Sequence, residues 1–218
     1  MIAPTRRTFL RAAALTTAAL PTAAFAVAPD TAAPDTAAPE LPNVFGPRKG
    51  YTPQIGTFVS QLTWMRQAVT GPVRGMTVEQ LDWLLDKNAN TIGALLLHLA
   101  ATETYYQMNT FEGMKWDSWS PAIKAKWDPA MNLGDAGRAT IKGHEIGFYL
   151  DNLKQVREKT LAEFKKRDDA WFLATDQTWF WGPTNNFCKW FHVCEHESHH
   201  AGQIELLIKR TPGYKEPS

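Results

Sequence analysis

Apolar residues recur every three or four positions along four long stretches of this chain, and that period confines it to a helical fold. From Tyr51 to Val69 the set is Ile55, Phe58, Val59, Leu62 and Met65, closed by Gly71-Pro72. A second stretch, about Asn90 to Phe111, carries Ile92, Leu95, Leu96 and Leu99 among alanines and is apolar nearly all round, as expected of a helix central to its bundle. The third, about Arg138 to Lys166, has Ile146, Leu150, Leu153, Leu161 and Phe164 with charged residues between them. The fourth runs from about Thr184 to Arg210, with Lys209 and Arg210 at the negative end of the helix dipole. The only candidate for a strand, Thr178-Trp179-Phe180-Trp181, is too short to anchor a sheet, so an all-α four-helix bundle follows.

Between these stretches, Thr77-Val78-Glu79-Gln80 has the form of a capping box that opens a short turn of helix. Residues Glu112 to Gly137 mix tryptophans with Gly, Pro, Asp and Asn without a sustained period, and read as a long loop with about one helical turn. The two cysteines, Cys188 and Cys194, are six apart on the fourth helix, about 9 Å at ~1.5 Å per residue, too far for a disulfide. Both are expected to be small buried apolar residues.

Ahead of the bundle, Arg6-Arg7 precede an alanine-rich run ending in Ala24-Phe25-Ala26, the form of a twin-arginine export signal over residues 1–26. The repeated Pro-Asp-Thr-Ala-Ala that follows cannot build a core, so residues 27–43 read as a tether and 44–218 as the folded domain. Export to the periplasm or another extracytoplasmic space, with no stable membrane insertion once the signal is removed, is the resulting expectation. The formal net charge of +1 and the lack of a basic run give no basis for a nucleic-acid partner. A small-molecule substrate is the expected partner, and a homodimer the assembly to test.

Four of the six histidines fall between Phe191 and His200. Residues three or four apart share a helix face, so His192/His196, His196/His199 and His196/His200 are all candidate ligand pairs. One helix directs only two imidazoles to a point, and a further ligand has to come from elsewhere. His98 supplies it: this is the lone polar ring in Ala94-Leu95-Leu96-Leu97-His98-Leu99-Ala100, where an unpaired imidazole would be costly. Such a donor set suits a divalent metal, zinc or nickel first and iron or manganese after them. His144 is expected to be an ordinary surface residue of the third helix. The seven tryptophans from Trp116 to Trp190 are expected in the core first, and as walls of a pocket above the metal second.

The blocks Met76-Thr77-Val78-Glu79-Gln80-Leu81, Thr91 to Ala100 with Glu103, and His196-Glu197-Ser198-His199-His200-Ala201-Gly202-Gln203-Ile204 resemble the DinB-like bundles, which include YfiT-like metal-dependent hydrolases and thiol transferases. The resemblance spans about Ile55 to Arg210. It implies an up-down-down-up helix order, with the long loop joining the parallel second and third helices, and it selects His98, His196 and His200 as the metal ligands. It also implies metal-assisted hydrolysis or thiol transfer at an open coordination position. Ala201 departs from it, since many relatives carry a basic residue there.

Metal-bound imidazoles usually give their second nitrogen to a polar partner. Glu103 and Gln203 are the first candidates for that task, with Glu195 and His199 beside them. Two other functions compete. His196-Glu197-x-x-His200 also matches the zinc-protease pattern, although no well-placed third ligand follows it. A non-catalytic exported metal-binding or stress-related module would use the same three histidines without turnover.

Overall fold

The computed structural model describes residues 41–215; the signal and most of the tether assigned from sequence lie outside them. The four long helices are present as α1 (Pro53–Thr70), α3 (Ile92–Thr110), α6 (Ile146–Phe164) and α8 (Asn186–Arg210), and α2 (Val78–Leu81) lies between α1 and α3. The connection from α3 to α6 holds α4 (Pro121–Asn132) and α5 (Gly134–Thr140), and α7 (Asp169–Leu173) precedes a minimal hairpin of β1 (Thr175–Asp176) and β2 (Thr184–Asn185). Among the described residues no helix is long and apolar enough to cross a membrane.

Local signals fix most helix starts. Thr91 accepts the backbone N–H of Ala94, and Asn185 that of Cys188, each satisfying a donor the helix leaves orphaned. Thr77 and Gln80 form the full reciprocal capping box anticipated from sequence.

Side-chain partners give the directions of the helices. Gly93 lies against Tyr149, Glu103 pairs with Arg157 and Gln107 with Thr160, so α3 and α6 run parallel. Phe58 meets Phe187 and Arg66 meets Glu197, so α1 and α8 are parallel too. His98 meets His196 while Thr110 meets Trp190, which sets α3 antiparallel to α8. The order is up-down-down-up, as the family resemblance implies. A Cβ at Gly93 would come within 2.6 Å of the Tyr149 hydroxyl, so only glycine permits α3 and α6 to approach so closely there.

Two apolar clusters fill the bundle. One gathers Leu95, Leu96 and Leu99 of α3 with Leu153 of α6 and Trp127 of α4; the other is aromatic and joins Phe58, Phe164, Phe172 and Trp190. The core reading of the tryptophans holds for Trp119, Trp127, Trp179 and Trp190, which are buried, whereas Trp181 is half exposed.

Several expectations need correction. Residues 112–137 are not mainly loop: Ser120 caps α4, Pro121 occupies its first turn, and Trp127 and Ala130 are buried against the bundle. Pro129 and the interleaved polar residues hid that helical period. The third long helix starts at Ile146 rather than Arg138, because Gly143 turns the chain at φ +77° and its N–H bonds Asp82. His144 consequently lies in the connector, stacked on Phe148 at 4.0 Å between ring centroids, and not on the helix. Cys194 is buried as expected, but Cys188 is exposed; both are free thiols.

Candidate metal centre

The long apolar face of α3 buries His98, and the turn-and-a-bit spacing of His196 and His200 directs both rings of α8 toward it. His98 Nε2 lies 2.8 Å from His196 Nε2, and His200 Nε2 lies 3.1 Å from the same atom. His98 and His200 are buried and His196 half-buried. One ligand atom from each of the three lies within 4.8 Å of the others.

The opposite edges of two rings settle their tautomers. His98 Nδ1 lies 2.9 Å from the Ala130 carbonyl, which only accepts, so Nδ1 donates and the neutral ring keeps its lone pair on Nε2. His200 Nδ1 donates to Gln203 Oε1 at 2.7 Å, leaving Nε2 in the same state, while Gln203 Nε2 is 3.1 Å from His199 Nε2. His196 Nε2 has at most one proton to offer two facing lone pairs. At least one of the short N···N contacts is therefore lone pair against lone pair, a repulsive arrangement that a shared cation would turn into an attractive one. The donor set fits a divalent metal.

Electrostatics agree. Burial lowers the His98 pKa; burial and then the neighbouring imidazoles lower that of His196 to about 3 and that of His200 to about 4. All three are neutral at pH 7, the form that binds metal.

The outer partners differ from expectation except for Gln203, which does hold His200. Glu103 touches none of the three rings in hydrogen bonding: its oxygens accept from Arg157 at 2.8 Å, Arg66 at 2.6 Å and Thr160 at 2.6 Å. Glu195 bonds His192 Nδ1 at 2.9 Å, one ring removed from the cluster, and His199 reaches it only through Gln203. Helix phase placed Glu103 on the inward face correctly, but buried Arg157 and partly buried Arg66 claim it.

The partner of His98 was not foreseeable, because a backbone carbonyl has no sequence signature and Ala130 sits on a helix read as loop. Arg66 and Arg157 were missed for a different reason. Each occupies an apolar stripe, Arg157 between Leu153 and Leu161, and a charge at such a position signals a buried partner.

Those arginines also exclude the protease reading. Glu197 Oε1 accepts from Arg66 Nε at 2.9 Å and Arg157 Nη2 at 2.7 Å, and Glu197 is buried. A carboxylate neutralised by two guanidiniums on the inner side of α8 cannot serve as a general base for a water at the imidazole cluster.

Residues 57–213 match the family model described as Mycothiol-S-transferase. The chain belongs to the mycothiol-S-transferase family. This family is DinB-like, in keeping with the motif resemblance and with the helix order found here. No curated protein matches the chain. Within the mycothiol-S-transferase match lie all three converging imidazoles and all four members of the Arg66, Glu103, Arg157 and Glu197 network.

Proposed function

We propose that this chain is a metal-dependent thiol S-transferase centred on His98, His196 and His200. The convergence of three Nε2 atoms, two of them fixed as lone-pair donors, is the observation that carries the reading. Zinc or nickel suits three neutral nitrogen donors best, with iron or manganese behind them. A divalent cation there would keep its full charge and an open position, supplying the field that makes a small thiol ionise near neutral pH.

The protein provides the remainder. Ala130 and Gln203 fix the planes of two rings, so little orientation is lost on binding. Burial keeps the imidazoles unprotonated and excludes bulk water from the inner side. In the transfer itself, the thiol proton leaves to solvent, the sulfur forms a bond to the electrophilic carbon of a second substrate, and the leaving group departs with the electron pair of the bond that breaks. Mycothiol is the first thiol to test, on the family's name.

The decisive experiment starts with elemental analysis of untagged protein. Adduct formation between mycothiol and a chromogenic aryl chloride, with release of chloride, is then followed with and without metal. Metal-dependent acceleration that His196→Ala abolishes supports the reading. A stoichiometrically loaded protein with no acceleration over buffer refutes transfer and leaves the metal-handling module.

Location is a separate proposal: the Arg6-Arg7 segment exports the chain, so its thiol must be one that reaches that compartment. Cell fractionation of the wild type and of the Arg6→Lys, Arg7→Lys double variant tests it. Retention of the wild type in the cytoplasm would overturn export without touching the chemistry.

A further inference from the structure

A cavity of about 870 Å³ lies among the end of α3, the segment after it, the hairpin and the start of α8. Small-molecule sites commonly measure roughly 300–1,000 Å³. Trp116, Trp179 and Phe180 give it aromatic walls, and Lys115, Asp176 and Lys189 are its charged lining residues. No imidazole of the metal cluster lines it. Lys189 precedes His196 by seven residues, about 10 Å along α8, and Asn109 follows His98 by eleven, about 16 Å along α3.

Charge in this lining is unevenly matched. Lys189 Nζ donates to Asn109 Oδ1 at 3.0 Å and to Asp176 Oδ2 at 2.8 Å, and Asp176 Oδ1 accepts from the Thr178 backbone and hydroxyl, each at 2.8 Å. The bonds from Lys189 and Thr178 hold the pKa of the Asp176 carboxyl at about 2, so it is ionised and Lys189 answers its charge. Lys115 has no such partner. The two acids nearest to it in the chain are claimed elsewhere, Glu112 by Lys159 and Asp117 by Lys124, each at 2.7 Å. Among the described residues no carboxylate or other acceptor meets the Lys115 ammonium. Its backbone is nonetheless held in place: the Lys115 carbonyl accepts from the Ser118 backbone at 3.0 Å and hydroxyl at 2.6 Å, and the preceding Met114 carbonyl accepts from Asn109 Nδ2 at 2.9 Å. The lining therefore carries one uncompensated positive charge beside three aromatic rings.

We propose that this cavity is a binding site, independent of the metal centre, for a flat aromatic anion, of which an aryl carboxylate is the simplest, with its ring against Trp116, Trp179 and Phe180 and its charge answered by Lys115. Aromatic walls select a flat apolar body over an aliphatic acid of like charge. An aromatic cation would bring a second positive charge to a lining that already carries one in excess. A neutral aromatic would use the walls and leave the ammonium without a counter-charge. Because Lys115 is exposed, the charge adds a modest preference that salt screens.

The test is equilibrium dialysis of 2-naphthoate, and of its uncharged isostere 2-naphthamide, against the full chain before and after metal removal with a chelator that is then dialysed away. Saturable binding of both ligands is expected in both states, and affinities are compared on the metal-free protein, where the carboxylate has no ion to ligate. At low ionic strength the carboxylate should bind about fivefold tighter than the amide, the worth of one partly solvated ion pair. That ratio should fall toward one in about 1 M sodium chloride, where the screening length is about 3 Å. Lys115→Met removes the charge and leaves the backbone bonds to Ser118, so the two affinities should converge at low salt. Phe180→Ala, at a 61% exposed position, should weaken both ligands together. Absence of saturable binding, loss of naphthoate binding on chelation, equal affinities for the two ligands at low salt, a carboxylate preference that survives Lys115→Met, or unchanged affinities in Phe180→Ala would each overturn the proposal.

Discussion

Two buried polar clusters occupy the middle of this bundle, and both draw on α3 and α8. In the first, Arg66, Arg157, Glu103 and Glu197 set two positive charges against two negative ones, with hydrogen bonds of 2.5–3.2 Å and further bonds from the arginines to the Leu62 and Leu153 carbonyls. The second brings three like, neutral imidazoles together with their lone-pair edges facing. Burial would raise the Glu103 pKa, yet Arg157 and Arg66 overcome it and hold the carboxyl at about 2. At His196, burial and the neighbouring imidazoles all lower the pKa; at His200, burial and the neighbouring imidazoles outweigh the hydrogen bond to Gln203, which raises it, so both shifts are downward. Balanced charge marks the structural cluster, even though Glu197 Oε2 is left without a partner among the described residues; the missing positive charge marks the one that binds something.

That contrast predicts opposite responses to substitution. The largest effect is expected from His196→Ala, which removes the nitrogen common to both short contacts: stoichiometric metal should disappear in elemental analysis, while the metal-free protein should melt no lower than the wild type, because a repulsion has been relieved. A metal-free variant that is clearly less stable would break the distinction.

Next comes Glu103→Ala, which leaves the guanidiniums of buried Arg157 and partly buried Arg66 facing Glu197 alone. Loss of one member of a buried ion network costs about 3–5 kcal/mol, to be read from urea unfolding of the metal-free proteins. A loss below about 1 kcal/mol would show that the quartet is no tighter than a surface pair.

Smaller again is Gln203→Ala, which frees the His200 ring without removing a ligand. Metal affinity should fall about 10- to 100-fold in a competition titration with a chromogenic chelator. His144→Ala, in the connector before α6, should leave metal content and affinity unchanged, and a measurable loss would mean that a fourth imidazole takes part.

Acid should act on the quartet with a definite sign. Glu103 has a folded pKa of about 2 against an ordinary 4.5, so its stabilisation is fully present above pH 4.5 and is lost as pH falls toward 2. The melting temperature of Glu103→Gln should therefore depend less on pH over that window than that of the wild type. Parallel curves would assign acid unfolding to other groups.

Much of this architecture is written locally. Periodic apolar residues, the Thr77–Gln80 capping box and Thr91 mark helices whose observed ends fall within a few residues of expectation for α1, α3 and α8. The third long helix is the exception at its start, where Gly143 breaks a polar stretch that looked continuous. α4 was obscured because Pro129 and its polar neighbours interrupt the period, while the burial of Trp127 and Ala130 depends on what α3 presents to them.

The amino-acid sequence by itself determined that the chain is helical, that His98 sits on an apolar face, and that α8 carries imidazoles in register to meet it, because periodicity and spacing are properties of one helix at a time. Tertiary structure alone decided which polar groups face which. It gave Glu103 to two arginines rather than to an imidazole, supplied His98 with a carbonyl from α4, and turned Glu197 away from the cluster. The physical reason is that a buried polar atom is satisfied by whatever group another helix brings within about 3 Å, and that distance is set by packing between elements far apart in the chain.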